Sequence, residues 1–171
     1  MDELTRLLLD ARDGDRTALA AAIRSSQGEV WRLCAHLVDR EEADDLTQET
    51  YLRAYRALPA FRGESSGRTW LLSIARRTCM DSLRRRTRRR RAMRLLAQET
   101  VDTDHSTAHA LERLVAELDP DRREAFVLTQ LIGCSYEEAA AACKVPVGTI
   151  RSRVARARAD LVERMRDAEA V

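Results

Sequence analysis

Apolar residues recur along this chain at the i, i+3, i+4, i+7 spacing of amphipathic helices. Leu4, Leu7, Leu8 and Ala11 mark a short helix over Met1–Asp13, stopped near Gly14. Thr17–Arg24 reads as a second short helical stretch. Val30, Leu33, Cys34, Leu37 and Val38 then place a core helix over Gln27–Val38, with Trp31 at its edge. Glu41–Leu58 is the next helix, ended by Pro59. Its inward stripe is Ala43, Leu46, Thr50, Ala54 and Ala57; its opposite face holds Asp45, Gln48, Glu49, Leu52 and Arg56. Leu52 is out of place there. A leucine among charges is what a binding anchor with a polar rim looks like, although single exposed leucines are common.

Phe61–Gly67 (FRGESSG) has the composition of a loop. A long helix follows over Arg68–Arg91, with Leu71, Ile74, Ala75, Thr78 and Cys79 inward and Leu72 and Leu83 beside them. Its other face carries Trp70, Ser73, Arg77 and Arg84. An aromatic ring interleaved with arginines suits contact with unpaired bases, because a ring stacks on any base. The same ring could simply cap the core. Ala97–Ala110 loses the periodicity, and residues 92–110 are assigned as a flexible linker, able to span ~60 Å when extended. Leu111, Leu114, Val115 and Leu118 restart a helix. Asp119-Pro120 is an N-cap followed by proline at the first helical position. Phe126, Val127, Leu131 and Ile132 belong to the next helix, which Gly133 closes.

Ser135–Leu161 (SYEEAAAACKVPVGTIRSRVARARADL) reads as two helices joined by a tight turn. Ser135 and Glu138 form a capping box, and Pro146 suits the turn. In the second helix Ile150, Val154, Ala157 and Leu161 make one narrow apolar stripe. Thr149, Ser152, Arg153 and Arg156 cluster opposite, with Arg151 and Arg158 on a shoulder. No acidic residue occurs from Val147 to Ala159. A helix sorted in this way fits the DNA major groove, where arginine donates twice to a guanine edge and other arginines hold phosphates.

The fold class is therefore all-α: two small helical domains, at 1–91 and 111–171, the second a helix-turn-helix domain. Composition agrees. Aromatic residues are 4% of the chain, low for a sandwich or barrel. The net charge of +2 hides a strong asymmetry. Residues 68–94 hold eleven arginines against the single Asp81, whereas residues 1–49 hold twelve carboxylates and six arginines. A run such as RRRTRRRR is either a solvated arm or a phosphate-binding one. No apolar run approaches the length of a membrane span. Asp2 and Glu3 do not open a signal peptide, so a cytoplasmic protein is expected. Cys34, Cys79, Cys134 and Cys143 show no metal-ligand spacing with each other or with histidine; reduced, structural cysteines are expected, and a Cys134–Cys143 redox pair has no support. No triad, metal set or phosphate loop calls for an enzyme or a cofactor.

ADDLTQETYLRAYRALPAFRG, RTWLLSIARR and LDPDRREAFVLTQLIGCSYEEAAAACKVPVGTIRSRVARAR, in that order and spacing, resemble the extracytoplasmic-function (ECF, group IV) sigma factors of bacterial RNA polymerase. The resemblance covers residues 17–165, and LTQET, RTWLL and VGTIRSRVARAR look like an actinobacterial branch. It implies a first domain that binds the −10 promoter element and the β′ clamp helices of core polymerase. It implies a second domain that binds the −35 element and the β flap. Asp45, Leu46, Gln48, Glu49 and Leu52 match the polymerase-binding motif. Phe61 and the Ser65, Ser66 and Gly67 loop match the segment that captures a flipped −10 base. Trp70, Ser73, Arg76, Arg77 and Arg84 lie on the matching melting and reading helix. Thr149, Arg151, Ser152, Arg153, Arg156 and Arg158 lie on the −35 helix. An anti-sigma factor is a further partner the resemblance suggests. Three positions depart from the family pattern: Arg77 for a frequent Asn, Lys144 for Gly or Asn in the turn, and Ala155 for a bulkier residue. The rival reading is a free-standing helix-turn-helix regulator with residues 1–90 as sensor or dimerisation module.

Overall fold

A computed structural model describes residues 2–96 and 110–169. Every regular element among them is a helix. Helix α1 (Glu3–Arg12) is capped by Asp2, whose carboxylate accepts from the Thr5 amide, and it stops before Gly14 at φ 106°. Helix α2 (Arg16–Leu37) is capped by Asp15. It runs unbroken through Gly28, where two separate stretches are expected from the sequence. Ala18, Ala22 and Ser26 are buried on the same side as Val30, Leu33 and Leu37, and that continuous packing holds the helix across the glycine. Helix α3 (Ala43–Ala57) has Asp44 and Asp45 in its first turn, where carboxylates face the positive end of the dipole. Pro59 turns it into a short 3₁₀ segment, Leu58–Ala60.

Helix α4 (Gly67–Leu96) is longer than the pattern implies. It continues through residues 92–96, which were expected to start the linker; Arg86 braces it from the side, pairing with Asp39 at 2.7 Å and Glu42 at 3.0 Å. The remainder of the predicted linker, residues 97–109, lies outside the described residues. Helix α5 (Ala110–Ala116) leads to α6 (Pro120–Phe126), capped by Asp119 as expected. The end of α6 widens into a π turn, Val127–Leu131, which no sequence signal announces. Helices α7 (Tyr136–Cys143) and α8 (Val147–Glu169) form the helix-turn-helix, and both halves of the Ser135/Glu138 capping box are made.

The two halves share a core. Leu33, Leu37, Leu72 and Cys79 of the first half belong to the same buried cluster as Leu118, Leu128, Cys143 and Ile150 of the second. Arg123 fixes the joint by donating to the carbonyls of Leu37, Ala116 and Leu118, the otherwise unpaired C-terminal ends of α2 and α5. Its burial lowers its pKa.

Candidate polymerase and nucleic-acid interfaces

On α3 the predicted face divides. Asp45, Gln48 and Leu52 are exposed, Leu52 by 48%. Leu46 is buried at 5% and packs in the core, so it positions the helix and presents no contact surface of its own. Glu49 is half-buried and accepts from Arg53 at 2.7 Å, and Arg53 also reaches Asp81 at 2.7 Å. Trp31 donates to Asp44 at 2.8 Å, which ties the start of α3 to α2. Beneath Leu52 lies an apolar cavity of about 310 Å³, walled by Tyr51, Tyr55, Leu58 and Trp70 among others. Tyr55 is 64% exposed at its mouth. Leu52 therefore joins the apolar wall of this cavity to a polar face that holds Asp45 and Gln48.

The 61–67 loop is built from both ends. Phe61 is buried at 3% and stacks on Trp70, ring centroids 4.7 Å apart at 42°. Phe61 thus shapes the loop from below, and Trp70 is half-buried, one side of it packed against Phe61. Ser65 is exposed and Ser66 half-buried. Ser66 accepts from the Thr69 amide at 3.1 Å and so caps α4. Gly67 is buried: a Cβ there would come within 2.9 Å of both Leu8 Cδ1 and the Thr5 amide nitrogen. The Gly67 amide donates to Thr5 Oγ1 at 2.6 Å, and Arg12 donates to the Phe61 carbonyl at 3.1 Å. Helix α1 thus braces this loop. Sequence reasoning missed Thr5 and Arg12, which carry no motif.

Along α4, Arg77 and Arg84 are exposed and Ser73 is half-buried. Arg76 is different. Its guanidinium forms a bidentate pair with Glu124 of α6, which is buried at 1%. One helical turn or more before it, Arg68 binds Glu29 at 2.6 Å, Glu138 at 3.3 Å and the Ile132 carbonyl at 3.0 Å. The bond to Glu29 and its carboxylate neighbours raise the Arg68 pKa further. Arg76 is therefore occupied by the second half of the molecule. Glu124 and Glu138 could not be identified from the sequence as its partners and Arg68's.

On α8 the stripe Ile150, Val154, Ala157 and Leu161 is buried, as predicted. Arg151, Ser152, Arg156 and Arg158 are exposed; Thr149 and Arg153 are half-buried. Arg153 pairs with Asp121 at 2.5 Å, and Arg158 donates to Gln130 at 2.6 Å. Arg151 and Arg156 form no ion pair among the described residues. The turn before α8 puts Lys144 in the left-handed region, φ 56° and ψ 45°. The four cysteines are free and buried. Burial pushes the Cys134 thiol up to about 11 and that of Cys143 to about 12, which keeps both protonated and unreactive near neutral pH.

Comparison with known proteins agrees with this layout. Residues 22–89 match the family model for Sigma-70 region 2, and residues 108–161 that for Sigma-70 region 4. The ECF RNA polymerase sigma factor SigC of Mycobacterium tuberculosis is 49% identical over 164 residues, covering 92% of this chain and 88% of that protein. The chain belongs to the ECF sigma factors. The ECF RNA polymerase sigma-E factor of Haemophilus influenzae is 34% identical, with 86% and 87% of the two chains covered. Two solved structures share the fold. CnrH, in complex with the cytosolic domain of CnrY, has a TM-score of 0.76 at 25% identity, covering 97% of this chain and 99% of that one. RpoE of Bartonella quintana, in complex with the anti-sigma factor NepR, has a TM-score of 0.73 at 27% identity, covering 86% and 96%.

As an ECF sigma factor of actinobacterial type, the chain confers promoter recognition on core RNA polymerase and promotes melting for initiation. Among the described residues, no helix is long and apolar enough to cross a membrane.

Proposed function

We propose that this sigma factor docks on core polymerase through Asp45, Gln48, Glu49 and Leu52 of α3, with the β′ clamp helices as the surface they meet. The observation that carries this is Leu52: exposed and apolar on a face shared with Asp45, Gln48 and Glu49, and lining an apolar cavity. Residues 1–91 form the unit for polymerase and the −10 element, residues 111–171 the unit for the −35 element and the β flap, and residues 92–110 join them. Arg151, Ser152, Arg153 and Arg156, with Thr149 and Arg158 at the margins, enter the −35 major groove. Bases of the −10 element leave the stack near Trp70 and the Ser65–Gly67 loop. Unstacking costs a few kcal/mol, offset by contacts with Trp70, Ser73, Arg76, Arg77 and Arg84. Arg76 can serve only after the halves part, because Glu124 holds it in this structure. A protein of the anti-sigma kind is a fitting partner; both similar solved structures are complexes, one of them of a sigma factor with its anti-sigma factor.

Two variants test the assignment. Leu52→Asp leaves thermal stability unchanged and lowers affinity for core polymerase at least tenfold in a fluorescence binding assay. Arg156→Ala keeps core affinity and loses ~1–3 kcal/mol of discrimination at one −35 base pair. Normal core binding by Leu52→Asp would refute the docking face.

A further inference from the structure

At 100° per residue, Trp70, Ser73, Arg77, Arg84, Arg88 and Arg91 fall within about 60° of one another on α4. The face predicted to meet the −10 element thus continues, without changing side, onto Arg88 and Arg91. Both are exposed, and neither forms an ion pair among the described residues. Asp81 is the acidic residue nearest the stripe; Arg53 takes one of its oxygens at 2.7 Å and Arg84 reaches the other at 3.6 Å, so this carboxylate is already shared by two arginines. The segment is a helix and not a loose tail, although like charges at i, i+4, such as Arg84 and Arg88 or Arg85 and Arg89, work against it. Arg86 supplies the anchor at its root. Arg88 and Arg91 extend this row past Asp81 on a rigid helix, with no anion paired to them among the described residues.

Chain direction says where an anion for them lies. Trp70 stands at the melted element, and α4 runs from there toward the linker that leads to the −35 unit. Its C-terminal end therefore points along the duplex between the two elements. Arg84, Arg88 and Arg91 cover ~10 Å of helix axis, the rise over which one DNA strand presents about three phosphates. We propose that Arg88 and Arg91 form a third DNA site, a sequence-independent clamp on the phosphates of the promoter spacer. This rests on the sigma reading above and adds a site to it.

The test is the salt dependence of promoter binding by the complete holoenzyme. R88Q/R91Q lowers the magnitude of the slope of log K against log salt by roughly 2, since each lost phosphate contact removes about 0.9. It leaves core affinity and base preference at both elements as in the unaltered protein. R85Q/R90Q removes the same charge away from the stripe and changes the slope by well under one unit. Spacer DNA carrying neutral methylphosphonates reproduces the loss with the unaltered protein, and R88Q/R91Q loses nothing more on it. An unchanged slope for R88Q/R91Q, an equal loss in R85Q/R90Q, or a fall in core affinity would overturn the clamp. Absence of any promoter-specific binding by the unaltered holoenzyme would instead bring down the sigma reading beneath it.

Discussion

Thr5 carries more of the 61–67 loop than its place in the sequence suggests. It is buried at 2%, donates to Asp2 and accepts from the Gly67 amide. Thr5→Val keeps the shape and orphans a buried N–H, at a cost of ~1–3 kcal/mol, or a few degrees of melting temperature. Calorimetry checks this; an unchanged melting temperature would mean that the loop does not depend on α1. Leu52 was legible from the sequence because an apolar residue breaks a polar face. Thr5 was not, since a small hydroxyl residue in a short helix looks the same whether or not it braces a loop 62 positions away. Leu46 and Phe61 matched family contact motifs and proved to be buried supports. A motif match does not separate a residue that touches a partner from one that aims its neighbours.

At the scale of elements, periodicity located most of the helices, because each buries one face against the rest. It failed where the backbone departs from the pattern for tertiary reasons. The α2 helix spans Gly28 because its buried face is continuous. The π turn at Val127–Leu131, with Val127 and Leu128 buried, carries no period of its own in the sequence, and α4 outlasts its core stripe. The turn between α7 and α8 was read correctly: Lys144 occupies a position that glycine prefers. Lys144→Gly relieves the left-handed strain at some cost in unfolded-chain entropy, and it stabilises the domain by up to ~1 kcal/mol in urea denaturation. A destabilised Lys144→Gly protein would show that the lysine side chain makes a contact outweighing the strain.

At the scale of the molecule, the sequence showed two units and did not show how they meet. Arg76 and Glu124 are 48 residues apart, and no spacing rule encodes their pairing. Their bidentate bond, buried on the glutamate side, is one of several polar links between the halves, beside those of Arg68 and Arg123. Glu124→Gln leaves a half-buried guanidinium facing a neutral amide. Losing the charged partner while the guanidinium keeps some solvent contact costs ~1.5–3 kcal/mol, enough to shift a closed-to-open equilibrium about tenfold or more. Small-angle scattering should show a larger radius of gyration for Glu124→Gln. The same profile as the unaltered protein would mean that the shared apolar core, not this pair, holds the halves together.

As a sigma factor, this chain gives core RNA polymerase its promoter specificity. Run-off transcription tests this directly, with genomic promoter fragments and core RNA polymerase alone, this protein alone, or the two together. Defined start sites are expected only in the mixture, each preceded by a shared pair of elements. Tight binding of the protein alone to palindromic DNA, with no new start sites in the mixture, would contradict it.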